Sequence, residues 1–201
     1  MPTLAALLAR DDRVRVVVPA PVLATAAAAG LPGDRLVAAE PDRPLPAGEV
    51  TVHPVPARHG VHVADAYTHG LPGDGGAVRY LGYLLDTPAG RLFHAGDTIR
   101  WPGDAELLRR LRVELALLPI TGRDPEREAR DIVGNLEPAE ALALARDAGA
   151  ATVVPMHHDL MEGNLGDPGE LVRLAPERYP GGRVAVLDRM AETPLADLAG
   201  G

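Results

Sequence analysis

Leu92-Phe93-His94-Ala95-Gly96-Asp97-Thr98 is the stretch on which the reading of this chain turns. Apolar positions alternate from Arg91 to Ala95 as in a buried strand, and Gly96 then lets the backbone turn sharply, so that Asp97 emerges at the strand's end. Strand ends are where sites are built, because a rigid sheet positions the loops that leave it. A carboxylate delivered this way is poised to hold a metal. Two other histidine-bearing strand ends flank it in the sequence: Val52-His53-Pro54-Val55-Pro56-Ala57-Arg58-His59 and Ala151-Thr152-Val153-Val154-Pro155-Met156-His157-His158-Asp159. The order along the chain is His, Asp, His.

Composition narrows the chemistry around these residues. A chain of 201 residues fits one α/β domain and is long enough to bury about two-thirds of its unfolded surface. Aromatic residues make up only 3%, so the core is expected to consist mainly of Val, Leu and Ala. Cys, Ser, Lys and Gln are absent. That excludes Ser and Cys nucleophiles, Schiff-base lysines, thiolate metal sites and a P-loop lysine. What remains is His, carboxylate, Thr, Tyr and Arg. A formal charge of −8 without a basic run excludes a nucleic-acid backbone as partner. The sequence shows neither a membrane-length apolar stretch nor a charged-then-apolar leader after Met1, so the expectation is a cytoplasmic protein with no membrane partner.

Periodicity predicts strands alternating with helices. Thr3 is a reasonable N-cap for a helix over 3–10 with the stripe Leu4, Leu7 and Leu8, and Val14, Val16 and Val18 follow as a strand. A helix over 21–29 stops at Gly30, and short strands are expected at 36–38 and 49–55. Residues 60–77, Gly-rich and holding His62 and His69, read as a long loop. A hairpin is expected from 79–86 and 91–95, a helix over 105–111, and a buried strand over 114–118. Pro138 and Gly149 bracket a helix with Ala141, Leu142, Ala145 and Ala148 on one face. Beyond the His157 strand, a helix over 169–174 and a final strand over 183–187 precede a loosely held tail from about 188 to 201. Alternation of this kind indicates a layered α/β sandwich, 1–201 as a single domain.

The chain resembles the metallo-β-lactamase superfamily of metal-dependent hydrolases, and within it the L-ascorbate-6-phosphate lactonase-like branch. The likeness runs from the first helix to about Val186. It is carried by His59, the run from His94 to Thr98, Leu117-Leu118-Pro119-Ile120-Thr121-Gly122-Arg123-Asp124, Gly134-Asn135-Leu136-Glu137-Pro138, and Pro155-Met156-His157. It implies a four-layer αββα sandwich and a divalent metal, zinc or manganese, with His59, Asp97 and His157 as ligands and Asp97 and His157 at the catalytic centre. It also implies that Arg123 and Asn135 face a small anionic or sugar-derived substrate, since Arg suits phosphate or carboxylate by its bidentate geometry. Metal would lower the pKa of bound water, and the hydroxide would attack a lactone, an ester or a phosphorus centre.

One departure stands out: the superfamily's His-x-His-x-Asp-His signature is nowhere in this sequence. The expectation is therefore an N-terminally incomplete fold, with the missing strands and motif encoded upstream of an internal Met, and a half-built site of impaired activity. Rival readings are a non-catalytic binding protein of the same fold and a phosphodiesterase; self-association stays open.

Individual histidines are ranked by position. In extended backbone His157 and His158 point to opposite faces, so only one reaches a site, and the place after Pro155-Met156 favours His157. His53, His62 and His69 read as solvent or loop histidines, although His62 lies close enough to His59 to substitute for it. His94 reads as a packed residue or an outer hydrogen-bond partner, and Glu137 before Pro138 as a poor N-cap.

Overall fold

In the computed structural model, which describes residues 2–59, 78–130 and 134–199, the chain opens with helix α1 (Pro2–Arg10), strand β1 (Val16–Pro19), helix α2 (Leu23–Ala28) and strand β2 (Leu36–Ala39). A run of strands follows: β3 (Leu45–Ala47), β4 (Val50–Pro56), β5 (Leu81–Thr87) and β6 (Gly90–His94). Helix α3 (Asp104–Arg110) leads to β7 (Leu115–Pro119), the short α4 (Pro125–Glu128) and α5 (Pro138–Ala148). The chain then continues through β8 (Thr152–Met156), α6 (Pro168–Arg178), β9 (Arg183–Val184) and α7 (Leu195–Ala199). The loop expected at 60–77, with His62 and His69, lies outside the described residues.

β3 to β9 form one seven-stranded sheet in sequence order. It is antiparallel from β3 to β6, where short turns suffice, and parallel from β6 to β9. Parallel neighbours need crossovers, which α3, α5 and α6 provide. All three helices cover one face. Leu108, Leu142, Ala145 and Leu171 pack there on Val55, Leu84, Phe93, Ala116, Leu118 and Val153. The opposite face alternates with it, as the two-residue period of strands requires. There Leu115, Val154 and Ala185 meet Leu195 and Leu198 of α7, while Leu81 and Tyr83 meet Val17 of β1 and Ala39 of β2. β1 and β2 pair in parallel as a second, two-stranded sheet, on which α2 packs. The layered α/β sandwich thus forms as expected, with its second sheet two strands wide among the described residues.

Differences from the sequence reading are local. Thr3 lies inside α1 rather than capping it, β3 went unforeseen, and the last strand ends at Val184. Residues 195–199, expected in a loose tail, form α7: Leu198 is buried and its carbonyl accepts from Thr152 Oγ1 at 2.8 Å. Apolar contact of Leu195 and Leu198 with Leu115, Val154 and Ala185, together with this hydrogen bond, docks α7.

Two features of the frame bear on stability and on the sites. Tyr179, at the end of α6, is buried and donates its hydroxyl to the Ala150 carbonyl at 2.6 Å; burial pushes its pKa up to about 12. Tyr179→Phe keeps the packing but leaves that carbonyl unpaired, so urea unfolding should show a loss of about 1–2 kcal/mol. In β4, Ala57 donates its N–H to Tyr80, which turns the N–H direction of positions 54 and 56 away from β5. Both are Pro, so beyond its pairing with β3 the free edge of β4 presents no outward donors to another strand.

Candidate functional site

Three strand ends converge. Gly96 takes φ +63° just beyond β6, and a Cβ there would come within 3.2 Å of the Leu81 carbonyl oxygen. The turn thereby exposes Asp97. His94 helps to shape it: its Nδ1 accepts the Gly96 N–H at 3.1 Å. Desolvation moves the His94 imidazole below the usual histidine pKa, offset in part by a backbone hydrogen bond and by the Asp97 charge. The His59 loop is stitched to this turn, with the Arg58 N–H donating to Thr98 Oγ1 at 3.1 Å and the Ile99 N–H to the Arg58 carbonyl at 2.9 Å. His59 packs edge-on against Tyr80, ring centroids 5.3 Å apart.

His157 arrives differently from expectation. β8 stops at Met156, whose carbonyl accepts from Ile120, and His157 itself sits at φ +56°. A left-handed non-glycine residue is uncommon and costs backbone strain, the kind found where surrounding structure fixes a functional side chain. The face-alternation argument for choosing between His157 and His158 therefore does not apply, since the backbone is not extended there. His157 is nonetheless the one that points inward, and the His158 carbonyl accepts the Gly166 N–H at 2.9 Å.

The result is one carboxylate between two imidazoles. His59 Nε2 stands 3.8 Å from Asp97 Oδ2, and His157 Nε2 stands 3.5 Å from Asp97 Oδ1. Neither distance is a good hydrogen bond. Donors about 2.1 Å from one tetrahedral cation would stand about 3.4 Å apart, close to these values. His157 Nδ1 is buried without a hydrogen-bond partner among the described residues. The donor types, imidazole nitrogen and carboxylate oxygen, fit a borderline divalent cation. The enclosure is partial, because the two imidazoles address different oxygens of Asp97. Among the described residues, no group of three or more His, Cys, Asp or Glu side chains is arranged to hold a metal ion by itself.

Arg123 and Asn135, expected to face a substrate, are turned to protein partners. Asn135 is 1% exposed, its Oδ1 accepts the Thr98 N–H at 2.9 Å, and its Nδ2 donates to Thr121 Oγ1 at 3.2 Å. A backbone N–H can only donate, so the amide orientation is fixed. Arg123 forms two bonds to the Glu140 carboxylate, 2.6 and 2.7 Å, and one to the Asn135 carbonyl at 3.0 Å. Burial would raise the Glu140 pKa, but the bonds from Arg123 and from the Glu137 N–H outweigh it and hold it below its ordinary value. Glu137, read as a poor cap, forms a capping box with Glu140, whose carboxylate accepts the Glu137 N–H at 3.0 Å, and its own carboxylate also accepts the Arg123 N–H at 2.8 Å, tying the start of α5 to the loop after β7.

The sequence reading missed the frame around the trio. Thr98 joins the His59 and Asp97 loops, Thr121 anchors Asn135, and buried Asn164 accepts from Arg127 at 3.0 Å beneath the loop that follows His157. The signal was a threonine directly after the emerging Asp, a small side chain able to donate and accept at once. His53, read as a solvent or loop residue, is instead half-buried on β4 and lines a separate cleft.

A model described as a beta-lactamase superfamily domain matches residues 1–158. "Probable L-ascorbate-6-phosphate lactonase UlaG" of Salmonella paratyphi B is 27% identical over 146 residues, covering 71% of this chain and 40% of that protein. The chain therefore spans about two-fifths of the length of the curated relatives it matches. Among solved structures, the metallo hydrolase Igni18 from Ignicoccus hospitalis superposes with a TM-score of 0.66 at 18% identity, over 92% of this chain and 70% of that one. An isothiocyanate hydrolase from Delia radicum gut bacteria gives 0.62 at 17% identity, over 87% and 66%. At these identities the structural likeness establishes the fold.

Proposed function

Because the chain belongs to the β-lactamase superfamily, matched over residues 1–158, we propose that it is a metal-dependent hydrolase whose centre includes His59, Asp97 and His157. The observation that carries this reading is the meeting of three strand ends on one carboxylate, with both imidazole Nε2 atoms aimed at it. Nothing in a packed core needs that trio at a half-exposed rim. A zinc or manganese ion held by His59, Asp97 and His157 would supply Lewis acidity, polarising an attacked oxygen and lowering the pKa of bound water. Asp97 would contribute negative charge that balances the cation. Tyr80 restrains the His59 ring, and the Thr98 bonds keep the His59 loop at a fixed distance from the Asp97 turn.

The reaction class is hydrolysis of a lactone or ester, with a phosphoester as the variant on the same fold. A small anionic or sugar-derived substrate, in keeping with the lactonase named above, is the class proposed. Three donors among the described residues make part of a centre, so the 201-residue protein is expected to bind metal weakly and to turn over slowly or not at all.

Isothermal titration with zinc and with manganese tests the assignment. His59→Ala, Asp97→Ala and His157→Ala should each weaken binding by at least about tenfold and abolish the metal-induced rise in melting temperature. Undiminished binding in all three variants would remove the trio as ligands. Tight stoichiometric metal with lactone turnover by the 201-residue chain would overturn the half-centre reading.

A further inference from the structure

A second concave site lies on the helix-covered side of the sheet, away from the histidine and aspartate trio. It is a cleft of about 260 Å³ between the edge of β4, the turn at 41–44 and one face of α3, just below the usual size of ligand pockets. Gly103, Glu106, Leu107, Arg110 and Leu111 line it, spaced by three and four residues as a single helical face requires. Buried Asp104 and Leu108 turn the other way, into the core.

The walls are rigid. Pro54 and Pro56 close one side. Trp101 closes another, its backbone N–H donating to Asp104 Oδ2 at 3.1 Å while Arg100 clamps the same carboxylate at 2.6 and 2.9 Å. Such walls lose little freedom when a ligand is buried against them. The charged groups are balanced: Arg43 and Arg110 against Asp42 and Glu106. Arg43 is already paired with Glu40 at 3.0 Å. Among the described residues, no hydrogen bond or ion pair engages the side chains of His53, Glu106 or Arg110.

We propose that this cleft binds a free aromatic α-amino acid, its ring against Trp101 and the two prolines, its carboxylate on Arg110 and its ammonium on Glu106. Balanced lining charge favours a zwitterion over a simple anion or cation. Glu106 and Arg110, one helical turn apart, present the two opposite charges at neighbouring points of one wall. A planar ring is the shape that a tryptophan and proline surface accepts, by offset or edge contact. This inference is independent of the hydrolase reading, because none of these residues belongs to the trio or to its frame.

Trp101 is the only tryptophan in the chain and so reports directly on the cleft. Its fluorescence is measured at a wavelength that phenyl rings do not absorb, in the presence of a chelator. L-Phenylalanine should give a saturable change, while 3-phenylpropionate and phenethylamine, each lacking one charge, should bind at least about tenfold more weakly. Arg110→Met and Glu106→Gln should each weaken phenylalanine about tenfold without moving the unfolding midpoint, since both residues are exposed. Absence of a saturable change, equal affinity for a one-charge analogue, or full affinity in Arg110→Met would each overturn the proposal. In that case Glu106 and Arg110 are a solvated surface pair on α3.

Discussion

Asn135→Ala should lose about 2–4 kcal/mol of stability and, on the proposed assignment, weaken divalent-metal binding although Asn135 is not one of the trio. The side chain is fully buried, and its removal leaves the Thr98 N–H without an acceptor, Thr121 Oγ1 without its donor, and a small cavity between them. Thr98 also accepts from Arg58, so loosening it frees the His59 loop and the Asp97 turn together. Urea unfolding measures the first effect and metal titration the second. Asn135→Asp separates the two: a carboxylate still accepts from Thr98 but is buried charged. Its folded-state pKa is raised above the unfolded value, so this variant should gain stability as pH falls and lose it as pH rises through the folded pKa. A metal affinity unchanged in Asn135→Ala would show that the trio is held without this clamp.

Gly82→Val should cost about 3 kcal/mol, a large share of the stability of an ordinary domain. The glycine is needed for space and not for an unusual φ. A Cβ on Gly82 would meet the Ala95 carbonyl oxygen at 2.7 Å and the His94 carbonyl oxygen at 2.9 Å, both backbone atoms at the end of β6. Neither can swing away as a flexible side chain would. The strain therefore falls on the β5 and β6 pair just before Asp97 leaves it, and the variant should lose metal binding along with its unfolding midpoint. A midpoint within about 0.5 kcal/mol of the parent would mean that the two strand ends separate easily.

Much of the frame was legible because periodicity is a local property. The hairpin of β5 and β6, the helices α3 and α5, and the buried strands β7 and β8 follow from apolar alternation, a proline at a helix start and a glycine at its end. β3 was missed because three residues joined to β4 by a tight turn carry too little pattern, and α7 because its docking depends on distant partners, the apolar Leu115, Val154 and Ala185 and the Thr152 hydroxyl.

For the site, sequence alone determined which residue types were available and which three lay at strand ends in the order His, Asp, His. Tertiary structure decided what each one faces. Only the folded chain turns His157 inward through a left-handed backbone, withdraws Asn135 and Arg123 from solvent to tie loops together, and places His53 in the wall of a separate cleft. The physical reason is that a side chain's role depends on partners distant in sequence: Asn135 bonds to Thr98 across 37 positions and Arg123 to Glu140 across 17. No local pattern of hydrophobicity or spacing encodes which polar group will meet which once the sheet has closed.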